Sequence, residues 1–166
     1  MRDLTEIRDL LAAKTECIWV QTIEEQDFLD DFLTMLVDNP KYQNVNIKEW
    51  TNTSGVTPVD LITGPVYSKT IIELREVPAL FEKGIIPDCF DEENTNTQNI
   101  WILKDLDPMF QNPKTARYIR DVKEGRKSVS YSPIIVISPN SVNDGVAHLF
   151  KVVEYSLPSS VDIFNY

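Results

Sequence analysis

The sequence predicts one α/β domain over residues 1–166, a three-layer doubly wound fold around a mostly parallel five-stranded sheet. Three observations lead there. Short apolar runs at 16–21, 100–104 and 133–138 are rich in β-favouring side chains, the mark of strands covered on both faces. Stretches with apolar residues every three or four positions alternate with these runs, so helices connect the strands by right-handed crossovers. A chain of 166 residues fits one domain, large enough to bury roughly two-thirds of its unfolded surface.

Each element has a local reason. Residues 3–14 place Leu4, Ile7, Leu10 and Leu11 on one face, with an acidic start and a basic end that suit a helix dipole. Glu16-Cys17-Ile18-Trp19-Val20-Gln21 is the first strand, and Thr22-Ile23-Glu24-Glu25 has the spacing of a capping box. In that reading Thr22 is the N-cap and Glu25 reaches back to it. Phe28, Leu29, Phe32, Leu33 and Leu36 give the following helix an apolar face. Asn39-Pro40 stops it, residues 45–50 alternate as a second strand, and Thr51-Asn52-Thr53-Ser54-Gly55 breaks that strand.

Between 56 and 99 four prolines exclude any long helix, which leaves two short ones, near 58–62 and 71–82, and a polar loop at 88–98. Ile100-Trp101-Ile102-Leu103-Lys104 is the central strand, with Asp105-Leu106-Asp107-Pro108-Met109-Phe110 leaving its carboxyl end. A helix with Pro113 at its first position runs to near Gly125. The fourth strand is 133–138, a short helix spans 144–150, and residues 152–158 close the set.

Composition narrows function. With 16 basic and 26 acidic residues, the net charge of −10 disfavours nucleic acid and anionic membranes. Lys114, Arg117, Arg120, Lys123, Arg126 and Lys127 form the one basic cluster, read as a solvated helix face or a surface for an acidic partner. Cys17 in a strand and Cys89 in a loop suggest no disulfide and no zinc site, and a reduced intracellular chain. No apolar run reaches the eighteen or so residues of a membrane span, and no leader pattern opens the chain.

Phosphate-binding α/β folds place a glycine-rich loop where the first strand meets its helix. Residues 21–25 contain no glycine, and Glu24, Glu25, Asp27, Asp30 and Asp31 repel a polyphosphate. Nucleotide binding is therefore not expected. At the carboxyl end of the central strand, Asp105 and Asp107 with Glu24 make an alternative reading, a Mg²⁺ site resembling those of Toprim nucleotidyl-transfer enzymes and nucleases. The bland counterpart is an Asp-x-Asp-Pro turn beside a cap. His148 lacks a marked nucleophile and reads as a helix-surface residue; Trp19, Trp50 and Trp101 read as core. Pro108, Met109 and Phe110, with Arg117 and Arg120, are the candidate protein contacts.

The run of motifs resembles one family. Thr22-Ile23-Glu24-Glu25, Glu49-Trp50-Thr51 followed by Gly55, the stretch Ile102-Leu103-Lys104-Asp105-Leu106-Asp107-Pro108-Met109-Phe110, and Arg117-Tyr118-Ile119-Arg120-Asp121 occur in the order seen in the amino-terminal domain of certain AAA+ ATPases. These are the ATPases first described as a hypothetical chloroplast open reading frame, with plastid, cyanobacterial and other bacterial members. Ile134-Ile135-Val136-Ile137-Ser138-Pro139 and the leucine-proline step at 157–158 fit the same pattern.

The resemblance implies a degenerate RecA-like fold without a phosphate loop and with strand order 5-1-4-3-2. It places Lys104-Asp105-Leu106-Asp107 where Walker B acids would stand and Asn140 near a sensor asparagine. Family members continue into an ATPase module, so the chain is expected to be the first domain of a longer AAA+ ATPase or a stand-alone version of it. The expected function is a non-catalytic interaction or assembly domain, or an adaptor or inhibitor that mimics one. It needs no cofactor of its own, ATP and Mg²⁺ serving only a following AAA+ module. Its expected partners are proteins (the ATPase module, ring neighbours or a substrate) in the cytoplasm or plastid stroma.

Overall fold

The computed structural model describes residues 4–42, 44–51, 55–62, 64–65, 99–111, 113, 115–117, 119–120 and 133–155. Among them, seven strands form one sheet: β1 (Cys17–Gln21), β2 (Asn46–Thr51), β3 (Gly55–Asp60), β4 (Gly64–Pro65), β5 (Asn99–Lys104), β6 (Ile134–Ser138) and β7 (Lys151–Glu154). Their order is β4-β3-β2-β5-β6-β1-β7. The pairs β7 with β1, β1 with β6, β6 with β5 and β5 with β2 are parallel, and β3 and β4 are antiparallel additions at one end.

Strand count and full order therefore differ from the five-strand expectation, and the difference lies in one segment. The residues near Pro58 form strand, not helix, with Lys48 opposite Pro58 and Glu49 opposite Thr57. Thr57 and Val59 are buried while Pro58 and Asp60 are exposed, the alternation of a half-covered strand. The proline is tolerated because β4 pairs only with Val59 and Asp60, which leaves β3 an edge strand at that point. The helix expected at 71–82, the loop at 88–98, Cys89 and the stretch beyond Tyr155 lie outside the described residues.

Side chains of the central strands alternate between two cores. Ile18, Val20, Ile100, Ile102, Ile135 and Ile137 meet Ile7 and Leu11 of α1 (Thr5–Ala12) and Phe28, Leu29, Phe32 and Leu36 of α2 (Glu25–Val37). Cys17, Trp19, Trp50, Trp101, Leu103, Ile134 and Val136 face the other way, toward Leu106, Ile119, Val146, Leu149 and Phe150. The three tryptophans are fully buried, as the sequence suggests. The described residues at 113, 115–117 and 119–120 are helical, and short 3-10 turns at Asp107–Gln111 and Asp144–Leu149 complete that second layer. The second of these is the short helix expected at 144–150, in 3-10 form. Burying each large apolar side chain is worth about 1.5–3 kcal/mol, so α2 is held by packing rather than by propensity.

Helix α1 ends in a turn that the residue types do not announce. Lys14 N–H donates to Leu11 O and Thr15 N–H to Leu10 O, both at 3.0 Å, closing a Schellman motif. The left-handed position, usually glycine, is Lys14 at φ 58°. No helix among the described residues is long and apolar enough to cross a membrane.

Candidate functional site

β1, β5 and β6 end at one edge of the sheet, where Gln21 lies beside Ser138 and Lys104 beside Ile137. Two backbone bonds extend the ladders past the strands, Thr22 N–H to Ser138 O and Asp105 N–H to Ile137 O, each 2.9 Å. Beyond them opens a cleft of about 330 Å³ lined by Thr22, Ile23, Glu25, Asp105, Ile137, Ser138 and Pro139. This is the carboxyl edge, where open α/β sheets bind ligands.

The junction between β1 and α2 is built differently from the capping box. Thr22 Oγ1 does accept a backbone N–H, that of Glu24 at 2.9 Å, but the N-cap position is Glu24 and α2 starts at Glu25. Glu25 does not reach back. The Thr22 N–H is already spent on Ser138, and the Glu25 carboxylate lies instead 4.0 Å from the ammonium of Lys104. A cation attracts a carboxylate more strongly than a neutral amide does.

Lys104 ends the central strand with its side chain only 8% exposed, and its Nζ is 2.7 Å from Oε1 of Glu49 on β2, which is 1% exposed. Oε2 of Glu49 is buried with no hydrogen-bond partner among the described residues. Burial pushes the Glu25 carboxyl above its ordinary value; Lys104 opposes this, and Asp105 and Glu49 add to it. Burial likewise raises Asp105, with Asp107 adding and Lys104 opposing. Asp105 also sits at φ 54°, a left-handed conformation that aspartate tolerates better than most residues.

Asp107 has a different role from Asp105. Its Oδ1 accepts from Ser138 Oγ at 2.9 Å and its Oδ2 from Asn140 Nδ2 at 2.8 Å. Asn140 N–H donates to Ser138 Oγ at 3.1 Å, and Trp19 Nε1 donates to Asn140 O at 3.1 Å. The exits of β5 and β6 are thereby tied to each other and to the core. Among the described residues no three His, Cys, Asp or Glu side chains are placed to hold a metal ion; Glu24, Asp105 and Asp107 are near in the chain topology but do not form such a set.

Of the candidate protein contacts, Pro108 is exposed, while Met109 and Phe110 are half-buried against the tryptophan core. The Phe110 ring lies 6.4 Å from Trp19 and 6.3 Å from Phe150. Arg117 is exposed and Arg120 half-buried on the helical stretch of the same layer. His148 is exposed beside Cys17 around a second cleft of about 350 Å³ at the opposite end of β1. The residues that sequence reasoning misses are Glu49 and Ser138. A lysine and a glutamate at the carboxyl ends of two apolar strands were the available signal for the first.

A family model described as SpoVK-like AAA ATPase, N-terminal domain, matches residues 3–155. The chain belongs to this family. It is thus an AAA ATPase N-terminal domain, in agreement with the resemblance carried by its motifs. No curated protein matches it.

Proposed function

We propose that this SpoVK-like N-terminal domain is a non-catalytic interaction or assembly domain that binds no nucleotide of its own. The observation that carries the reading is the β1–α2 junction. The Thr22 and Glu24 amides, which a phosphate would use, are engaged by Ser138 O and Thr22 Oγ1. The Lys104 ammonium beside the cleft is held by Glu49, and Glu25 and Asp105 present negative charge to any incoming anion. Among the described residues at this junction, the groups that would hold an anion are engaged by the protein itself.

In this reading the domain needs no cofactor. Its partners are proteins, namely the AAA module of its own family, ring neighbours or a remodelled substrate, in the cytoplasm or plastid stroma. The Mg²⁺-dependent phosphoryl-transfer alternative loses ground because both oxygens of Asp107 are occupied by Ser138 and Asn140.

Isothermal titration of the 166-residue protein with ATP, ADP and Mg²⁺, singly and together, tests the proposal. The expected result is no saturable heat. Micromolar binding that is lost in Asp105→Ala would overturn it.

A further inference from the structure

The strands of the sheet are not held alike. β6 pairs on both sides, with β1 and β5, and all five of its side chains are buried. β1 lies between β6 and β7, and four of its five are buried. β7 stands at the end of the sheet, and among the described residues it pairs with β1 alone. Of its own side chains only Val153 is buried; Lys151, Val152 and Glu154 are exposed, Val152 at 42%. A strand with one ladder and one buried side chain has little of its own to hold it to the sheet.

Its fastenings stand at its two ends. Phe150, just before β7, packs edge-on against Trp19 at 5.4 Å in the tryptophan core. Tyr155, just after β7, belongs to the core on the opposite face, where its ring meets Phe28 edge-on at 5.4 Å. The Tyr155 N–H donates to Gln21 O at 3.1 Å, and its hydroxyl donates to the Asp31 carboxylate on α2. A carboxylate acceptor makes this the stronger kind of hydrogen bond. It ties the end of β7 to a helix instead of to the neighbouring strand.

We propose that β7 is a strap that opens as a unit while the rest of the sheet stays closed, and that the bond from Tyr155 to Asp31 is its latch. Opening peels Val153 and Tyr155 from the α2 face, with Phe150 staying in place as the hinge, and bares the backbone edge of β1 from Ile18 to Gln21. Because the latch is held by α2, a change that moves Asp31 alters how often the strap opens. The device stands whether or not the domain binds nucleotide.

Native-state hydrogen exchange of the 166-residue protein, read by NMR over a series of sub-denaturing urea concentrations, tests this. Each amide reports the least costly opening that exposes it, and the urea slope of that opening grows with the surface it exposes. The β7 amides that bond β1 and the Tyr155 amide should exchange together with a small urea slope. They should be about tenfold or more less protected than the Ile134 and Thr22 amides, which bridge β1 and β6. Tyr155→Phe keeps the ring and removes only the hydroxyl. It should speed exchange of the β7 amides by roughly ten- to a hundredfold, with the small slope kept. Asp31→Ala should do the same, and combining the two should add little.

A β7 urea slope equal to that of the Ile134 and Thr22 amides would overturn the strap, since β7 would then open only with the whole sheet. Low protection at Tyr155 alone would mean a frayed strand end and would overturn it equally. Unchanged exchange in Tyr155→Phe would overturn the latch. The wild-type protein decides the first two outcomes by itself, so the proposal remains testable even where a variant does not fold.

Discussion

Removing the ammonium at the end of β5 is the sharpest test of how the carboxyl edge is held together. Lys104 and Glu49 are 8% and 1% exposed with 2.7 Å between charged atoms, a gross attraction of about 6 kcal/mol at an effective dielectric constant of about 20. Most of that offsets the cost of taking both ions out of water. The net worth of the pair is therefore small, but the cost of breaking it is not. Lys104→Met strands a buried carboxylate and should destabilise the domain by about 3–5 kcal/mol, equivalent to a fall in melting temperature of roughly 10 °C for a domain of this size.

Lys104→Met with Glu49→Leu removes both charges and should restore most of the loss, or exceed wild type by about 1–4 kcal/mol. Urea unfolding followed by the emission of the three buried tryptophans measures both, since all of them become exposed on unfolding. A loss below about 1 kcal/mol for the single variant, or a double variant as unstable as the single, would refute the argument.

The remaining expectations concern neighbouring groups. Because the folded-state pKa values of Glu25 and Asp105 are raised, the stability they contribute is full when both are protonated. It is lost as pH rises through those raised values. Glu25→Gln and Asp105→Asn should therefore each stabilise the protein at neutral pH, by less than about 1 kcal/mol given their exposure. The gain should vanish below about pH 4, as thermal melts across a pH series would show. Asp107→Ala cuts the bonds to Ser138 and Asn140 and should cost about 1.5–3 kcal/mol in the same urea assay. Lys14→Gly relieves the left-handed residue that ends α1 and should stabilise by about 1 kcal/mol. A loss there would mean that the Schellman turn is not held as described.

Much of the fold was legible because periodicity reports burial. The apolar runs at β1, β5 and β6 marked strands covered on both faces, and Phe28, Leu29, Phe32, Leu33 and Leu36 marked the face of α2; all of these are buried. The hairpin was not legible. Pro58 reads as a helix boundary until its partner strand is known, and only pairing with Lys48 makes it an edge-strand residue. The site was half legible. A junction without glycine and with a crowd of acids is a statement about residue types, and it points away from phosphate before any coordinates are known.

Which acid does what is a matter of position. The spacing from Thr22 to Glu25 matches a capping box, yet Glu25 turns to Lys104 because the Thr22 amide is taken by a strand more than a hundred residues away. Asp105 and Asp107 look equivalent in the sequence, but Ser138 and Asn140 on a different strand exit satisfy one and leave the other facing the cleft. The sequence by itself determined the α/β class, the two apolar faces, the acidic character of the edge and the family, because these depend on local pattern and composition. Only the tertiary structure decided the seven-strand order, the Lys104–Glu49 pair and the division of labour among the carboxylates. Those depend on which distant donors the sheet brings within hydrogen-bond reach.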